Sequence, residues 1–408
     1  MEPCLINYRG RLNLMKRPLH LLRGFLNEFK PVEGENCKPK TRQLAEILQL
    51  ILRCQATPKE YFDYRFYELD KDYSYMLNFL FHYELNKTFR PALNKPEWAF
   101  LFRNKLLFNQ YYRQHNLPVT DLYGYYDTRA GLTFKGMPLS KPEQLQALLA
   151  EIKPPNLVIK PVGGDCGHDI LIIEKINYQT PEWQFIESED RILTFDEIVK
   201  HLAIDTKRNR YTGFILEEKV EQHAFTKALN PSSLNTFRII TLLDMDNEAE
   251  ILLSSLRFGK EGVLIDNTAT GGHYFCINPE KGIIAPGLSS YREGYKKESR
   301  HPVTGKRYEG LEIPYWEEIV RVCKEAARLA PFCRTIGWDV ALTPGGPVLI
   351  EGNDDHAIIT QGLFDGYLQP EVRKKLERFG LLYPEGNLPG IRVKRLFDAL
   401  SGWSKSSR

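Results

Sequence analysis

The sequence predicts an α+β protein, helical in its first quarter and built from antiparallel strands in its second half. Three observations carry this. Leu44, Ile47, Leu48, Ile51 and Leu52 recur at the spacing that puts one apolar stripe on a helix. Downstream, LVIKP from Leu157, DILIIE from Asp169, GFILEEKV from Gly213, FRIITLLD from Phe237, EILLSSLRFG from Glu250 and HYFCIN from His273 read as strands. Between several of these lie hairpin turns, notably Asp-Met-Asp-Asn at 244–247 and Pro-Glu-Lys-Gly at 279–282.

Taken in order, Leu12, Met15, Leu19, Leu22 and Leu26 form a first stripe, kinked or broken at Pro18. It reads first as a helix docked on a core, and second as a basic face touching an anionic membrane surface. The second stripe ends before Pro58. The Tyr- and Phe-rich run from Tyr61 to Tyr83 has no alternating basic cluster, so it reads as packing, not as a platform for nucleic-acid bases. Trp98 to His115 is expected as one helix carrying Lys105, closed by Asn116, Leu117 and Pro118. A helix from about Tyr315 to Leu329 precedes the hairpin GWDVALTPGGPVLIEGND. Another is expected near Pro370 to Phe379, before a basic tail with Arg392, Lys394, Arg395, Lys405 and Arg408.

Composition excludes several classes. The 408 residues suggest two or three domains. With 55 basic and 52 acidic residues the net charge is +3, too balanced for a nucleic-acid binder working by bulk electrostatics. Mean hydropathy is −0.38, and no apolar run approaches the roughly 18 residues of a membrane span. Arg9, Arg11, Lys16, Arg17 and Arg23 interrupt the first thirty residues, which argues against a signal peptide. Seven cysteines, odd in number and without a CxxC pair, read as reduced thiols of a cytoplasmic protein.

The most informative local geometry is the hairpin from Gly337 to Asp354. Pro344, Gly345, Gly346 and Pro347 make a turn, and one centred near Gly345 sets Asp339 opposite Glu351. Alternation then puts Asp339, Glu351 and Asn353 on one face and Trp338, Val340 and Leu342 on the other. Two carboxylates about 5 Å apart repel by about 3 kcal/mol at an effective dielectric of 20. A divalent cation would relieve this, since two carboxylates and an amide carbonyl are hard oxygen ligands suited to Mg²⁺. An arginine-paired or solvated acidic face is the alternative.

A second constellation lies upstream. Lys160 ends a strand, and Gly163, Gly164 and Gly167 follow, leaving backbone N–H groups able to approach an anion; the alternative is a plain tight turn. No Gly-Lys-Ser/Thr opens a helix, so this is not a P-loop. Glu217, Glu218, Lys219, Val220 and Glu221 end an apolar strand, where backbone groups suit an adenine ring and a carboxylate a ribose; a strand running out to solvent reads equally well. Asn235, a candidate cofactor contact, and Arg238 follow in SLNTFR, then Arg257 in RFG, Asp266-Asn267 and Gly271-Gly272. The two arginines read either as partners of acids or as clamps on phosphate or carboxylate oxygens. His168, His223, His273 and His356 lack ligand spacing, Cys166 reads as a chance thiol, and Asp354, Asp355 and His356 read as a solvated edge or outer support of the acidic trio.

The order of these signals resembles the ATP-grasp superfamily, most of all the sugar-transfer-associated ATP-grasp family, over about Trp98 to Gln369. The SLNTFRIIT run, the RFG…DN…GG run and the GWDVALTP…LIEGND ending carry that narrower likeness. The resemblance implies the ATP-grasp fold, two α+β subdomains closing on ATP, here with an N-terminal helical extension. The division implied is a helical region at 1–95 and an N-terminal lobe with a phosphate lysine at 96–155. A subdomain with glycine-rich loop and adenine hinge follows at 156–222, then a C-terminal subdomain with the metal site at 223–380 and a basic tail at 381–408. It implies Mg²⁺ on Asp339, Glu351 and Asn353, ATP phosphates on Lys105 and Lys160, a loop lid, Arg238 orienting the γ-phosphate and Arg257 stabilising an oxyanion. The activity implied is a carboxylate–amine ligase with an acyl-phosphate step, taking a sugar-acid, amino-acid or peptide-like substrate, small or glycan-linked, with a place in polysaccharide biosynthesis. A kinase of the same fold and a non-catalytic ATP-binding protein are the alternatives.

Overall fold

The computed structural model describes residues 28–164, 167–188, 190–203, 213–231, 233–259, 273–290 (backbone only for 286–290), 300, 305, 307–358, 361–362 and 364–381. The stripe at Leu12–Leu26, Cys166, Asp266-Asn267, Gly271-Gly272 and the basic tail lie outside the described residues.

Contacts divide the chain into two units. The described part of the first spans 28–77 and 81–84. Its main helix, Lys40–Cys54, ends at Gln55 in the left-handed region (φ 54°). Thr57 and Glu60 cap Pro58–Asp63 reciprocally. The aromatic run here is core, with Tyr61, Phe66, Met76 and Phe81 all buried. A buried ion pair fixes its centre. The Lys38 ammonium donates to Glu46 (2.9 Å) and to the Phe66 carbonyl (2.7 Å), while the Tyr61 hydroxyl donates to the same Glu46 (2.7 Å).

The second unit, 78–80 and 85–381 of the described residues, holds three antiparallel sheets. One has the order β2-β1-β8-β3-β4, from Leu122–Tyr126 (β1), Leu132–Thr133 (β2), Leu157–Pro161 (β3), Leu171–Ile173 (β4) and Phe214–Glu217 (β8). Its core packs against helices Pro142–Ile152 and Phe195–Leu202 through Leu145, Leu149, Ile159, Ile173, Ile198 and Phe214. A small sheet of Lys175–Asn177 (β5), Gln184–Ser188 (β6) and Arg191–Leu193 (β7) precedes β8. Its three- to five-residue strands carry too little periodicity to be read from sequence.

The largest sheet has the order β12-β11-β10-β9-β13-β14. Its strands are Thr236–Leu243 (β9), Ala249–Phe258 (β10), His273–Asn278 (β11), Ile283–Ser290 (β12), Thr335–Thr343 (β13) and Gly346–Asn353 (β14). The hairpin turns expected at 244–247 and 279–282 join β9 to β10 and β11 to β12. One face, with Phe237, Ile239, Leu256, Phe275, Trp338 and Val340, packs on helix Trp316–Leu329. The opposite face begins apolar, where Ile240, Leu242 and Leu253 meet Leu80, Phe89, Tyr367 and Leu368, and then becomes polar.

Two local expectations change. The helix expected over Trp98–His115 is two, Pro96–Arg103 and Lys105–Gln114, because Asn104 takes an extended conformation (φ −122°, ψ 102°). Its side chain accepts from the Leu107 amide, capping the second helix. The β13–β14 turn is tighter than expected, with Thr343 facing Gly346 across Pro344 and Gly345. From this end Val340 faces Leu349, yet one residue on Asp339 faces Glu351. A one-residue β-bulge at Ile350 restores the pairing that the sequence places there.

Among the described residues, no helix is long and apolar enough to cross a membrane.

Candidate active site

The polar part of the six-stranded sheet places charges side by side on four neighbouring strands. Asp339 faces Glu351 on β14 and, on its other flank, Arg238 on β9. Arg238 grips Asp339 in two prongs, Nε to Oδ1 at 2.6 Å and Nη2 to Oδ2 at 3.1 Å. From β10, Arg257 reaches Asp339 Oδ2 at 2.9 Å and also donates to the Thr236 hydroxyl at 2.9 Å. Asn353 lies on the same face, its amide donating to the Gly337 carbonyl at 3.3 Å and meeting Glu351 at 3.5 Å.

These contacts settle the electrostatics of the row. The carboxylate repulsion expected from sequence is offset by protein charges. Burial alone would raise Asp339, but Arg238 and Arg257 outweigh it and bring its carboxyl down to about 2. Burial, with Asp339 alongside, holds Glu351 above the usual Glu range against the pull of Lys105, 3.8 Å away. Repulsion therefore does not by itself demand a cation, and the reading of Arg238 and Arg257 as partners of an acid describes the geometry seen. Among the described residues, no three His, Cys, Asp or Glu side chains converge on one point; the donor set is two carboxylates and one amide.

Lys105 ties this row to the glycine-rich turn. It is the first residue of its helix, its amide donates to Val162 O (2.9 Å), and its ammonium donates to the Gly164 carbonyl. Strand, turn and strand follow as expected around Gly163, Gly164 and Gly167, the last with φ 75°. Lys160 is buried and its ammonium pairs with Glu217, which also accepts from the Thr120 hydroxyl (2.8 Å). At the strand end, the Glu218 amide donates to Asp121 O (2.9 Å) and its carboxylate accepts from the Asp121 amide. The Lys219 amide donates to Asn156 (3.0 Å) and its ammonium to Glu174 (2.6 Å). Glu217 is thus a counter-ion of Lys160, and the half-buried Glu218 and exposed Glu221 are the carboxylates beside Val220 that open to solvent.

Other residues singled out in the sequence bond within the fold. Asn235 is fully buried, and its amide donates to Gln222, Thr226 O and Asn230 O, each at 2.8 Å. It braces the loop that enters β9 and has no donor left for a ligand. Asp354 and His356 are buried, not a solvated edge: Asp354 forms a two-pronged ion pair with Arg103 (3.2 and 2.9 Å). Burial lowers His356 to about 3, so it is neutral at physiological pH. His223 caps a short helix, accepting from the Phe225 amide.

With this geometry in view, comparison with known proteins is decisive on one point. The sequence model of the sugar-transfer associated ATP-grasp family matches residues 84–373. The chain belongs to that family. This ATP-grasp chain has no match in a sequence search of curated proteins. Among solved structures it is similar to a biotin carboxylase from Campylobacter jejuni in complex with β-γ-ATP (10% identity, TM-score 0.42, covering 74% of this chain and 50% of that one). It is also similar to the biotin carboxylase domain of a Hydrogenobacter thermophilus 2-oxoglutarate carboxylase in complex with MgADP (12%, 0.36, 66% and 43%) and to a D-alanine-D-alanine ligase from Coxiella burnetii (12%, 0.35, 76% and 61%). The chain spans less than two thirds of the length of each of these.

The row has three cations, Arg238, Arg257 and Lys105, against two carboxylates, a surplus of one positive charge. A bare dication would meet repulsion there, whereas one accompanied by a polyphosphate brings its own negative charge. Hard oxygen donors together with that surplus fit a magnesium–nucleotide pair.

Proposed function

We propose that this chain is an ATP- and Mg²⁺-dependent carboxylate–amine ligase acting on a sugar-acid, amino-acid or peptide-like substrate. The observation that carries the reading is the row Glu351–Asp339–Arg238, flanked by Arg257 and Lys105, on one sheet face. Phosphoryl transfer needs positioning and charge neutralisation more than covalent help from the protein. In this reading Asp339, Glu351 and the Asn353 carbonyl hold Mg²⁺, which when bound neutralises phosphate charge. Lys105 and Lys160 hold phosphate oxygens, and the glycine-rich turn offers its amides to them. The strand end at Glu218–Glu221 receives the base and ribose. Arg238 and Arg257, each with five N–H donors, orient a phosphoryl group and stabilise the oxyanion formed as an amine attacks the acyl phosphate. The attacking amine loses a proton, the C–N bond forms, and phosphate leaves.

The test is mass spectrometry of products after incubation with ATP, Mg²⁺ and pooled carboxylates and amines, alongside Asp339→Asn and Glu351→Gln. The expected result is ADP, phosphate and an amide product, all lost in both variants while each remains folded. Full turnover in either variant overturns the site. A stable phosphorylated product formed without amine overturns the ligase in favour of a kinase.

A further inference from the structure

The two ends of this site come from distant parts of the chain. Lys105 follows Arg103 by two residues, at the break between two helices. Glu351 and Asn353 lie three residues and one residue before Asp354. The 90–105 stretch grips the end of β14 at several points. Asn94 donates to the carbonyls of Thr335 and Asp354, each at 2.9 Å, and Arg90 donates to the carbonyls of Asp355 and His356. Phe102 and Phe108 lie so close over Gly352 that a Cβ there would come within 2.8 and 3.1 Å of their rings. Nearest the site, Arg103 clasps Asp354 in two prongs.

We propose that the Arg103–Asp354 clasp is a positioning device that sets Lys105 over Glu351 and so governs the grip on a nucleotide's phosphates; it rests on the nucleotide reading above. A bidentate guanidinium–carboxylate pair fixes direction as well as distance. The Arg103 side chain is 63% exposed, so the fold depends little on it. The backbone that follows it is anchored by its own bonds, since Asn104 caps one helix and the Lys105 amide is held by Val162 O. Loosening the clasp lets the Lys105 helix shift relative to Glu351 without unfolding anything, and displacements near 1 Å are costly where charges must meet phosphate oxygens. Arg103 and Asp354 touch no reacting atom in this account; they act through Lys105.

The test is calorimetric titration of the full chain with ADP and Mg²⁺, comparing Arg103→Met, Arg103→Lys, Asp354→Asn and the double variant Arg103→Met/Asp354→Asn. Arg103→Met should weaken ADP binding about tenfold with little change in melting temperature, and Arg103→Lys, which keeps one prong, should recover part of the loss. The double variant should bind no worse than the weaker single one, as expected of partners in one interaction. Arg321→Met, which breaks an exposed Arg–Glu pair elsewhere, should leave affinity unchanged. Should Asp354→Asn not fold, the two Arg103 variants still decide. Wild-type affinity in Arg103→Met, or additive losses in the double variant, overturns the clasp alone. Absence of ADP binding by the unaltered chain overturns the nucleotide reading and this role with it.

Discussion

The two faces of β13 differ in what holds them. Toward helix Trp316–Leu329 stand Trp338, Val340 and Leu342, and Trp338 is enclosed by Phe102 and Tyr112 with its indole N–H on Thr241 (2.9 Å). Toward the other side stands Asp339, as fully enclosed, but by two guanidinium groups. One face is stabilised by area removed from water, the other by charges that must be matched within a low-dielectric setting. The comparison teaches that the site is not an exposed patch laid over a finished core. It is a second core made of ion pairs, sharing its backbone with the first.

The largest effects should come from emptying either face. Trp338→Ala should cost about 3–5 kcal/mol through lost burial and a cavity. Asp339→Ala should cost a similar ~3–5 kcal/mol by leaving Arg238 and Arg257 without their counter-charge. Chemical denaturation measures both, and ADP titration separates them: only the Asp339 change should remove nucleotide binding from the folded fraction. A cost under ~1 kcal/mol for Asp339→Ala would show that the polar face is solvated and the comparison false. Next, Gly352→Ala pushes a methyl into Phe102 and Phe108 on the apolar face. It should cost about 1–3 kcal/mol and weaken ADP binding as well, since those rings belong to the two helices that meet at Lys105.

The smallest effect is on pH. Asp339 titrates lower in the folded protein than its ordinary 3.8, so the stability from its ion pairs is present above that value and is lost as pH falls toward about 2. Glu351 is shifted the other way and takes up a proton above the ordinary 4.5. Affinity for ADP with Mg²⁺ should therefore decline on acidification before Asp339 responds, and Glu351→Gln should flatten that decline. A decline that persists unchanged in Glu351→Gln would assign it to another group.

Much of this arrangement is legible from short-range pattern. Hairpin chemistry and alternation set Asp339 opposite Glu351, and the helix Lys40–Cys54 and strands β3, β4 and β8 to β11 fall where periodicity puts them. What stays hidden depends on contacts across long stretches of chain. Nothing near Arg103 in the sequence points to Asp354, 251 residues away. Nothing near Asn235 says that its amide will be enclosed by Gln222, Thr226 and Asn230 rather than turned to a ligand. Glu217 looks like a ligand contact until strand pairing brings it against Lys160 as that residue's counter-ion. Charged residues at strand ends reveal chemistry, but only the fold decides whether the partner is a ligand or another side chain.

The bulge at Ile350 has a consequence for how such a hairpin can evolve. Toward the tip the two strands keep one phase and toward the site another, with the extra residue absorbing the mismatch. Point substitutions around Pro344 and Gly345 are therefore insulated from the acidic row. Loss of Ile350 is absorbed too: with Leu349 already facing Val340, Glu351 becomes the next residue along and still stands opposite Asp339. The hairpin thus tolerates drift in its spelling and, on the strand that bears Glu351, the loss of one residue of length.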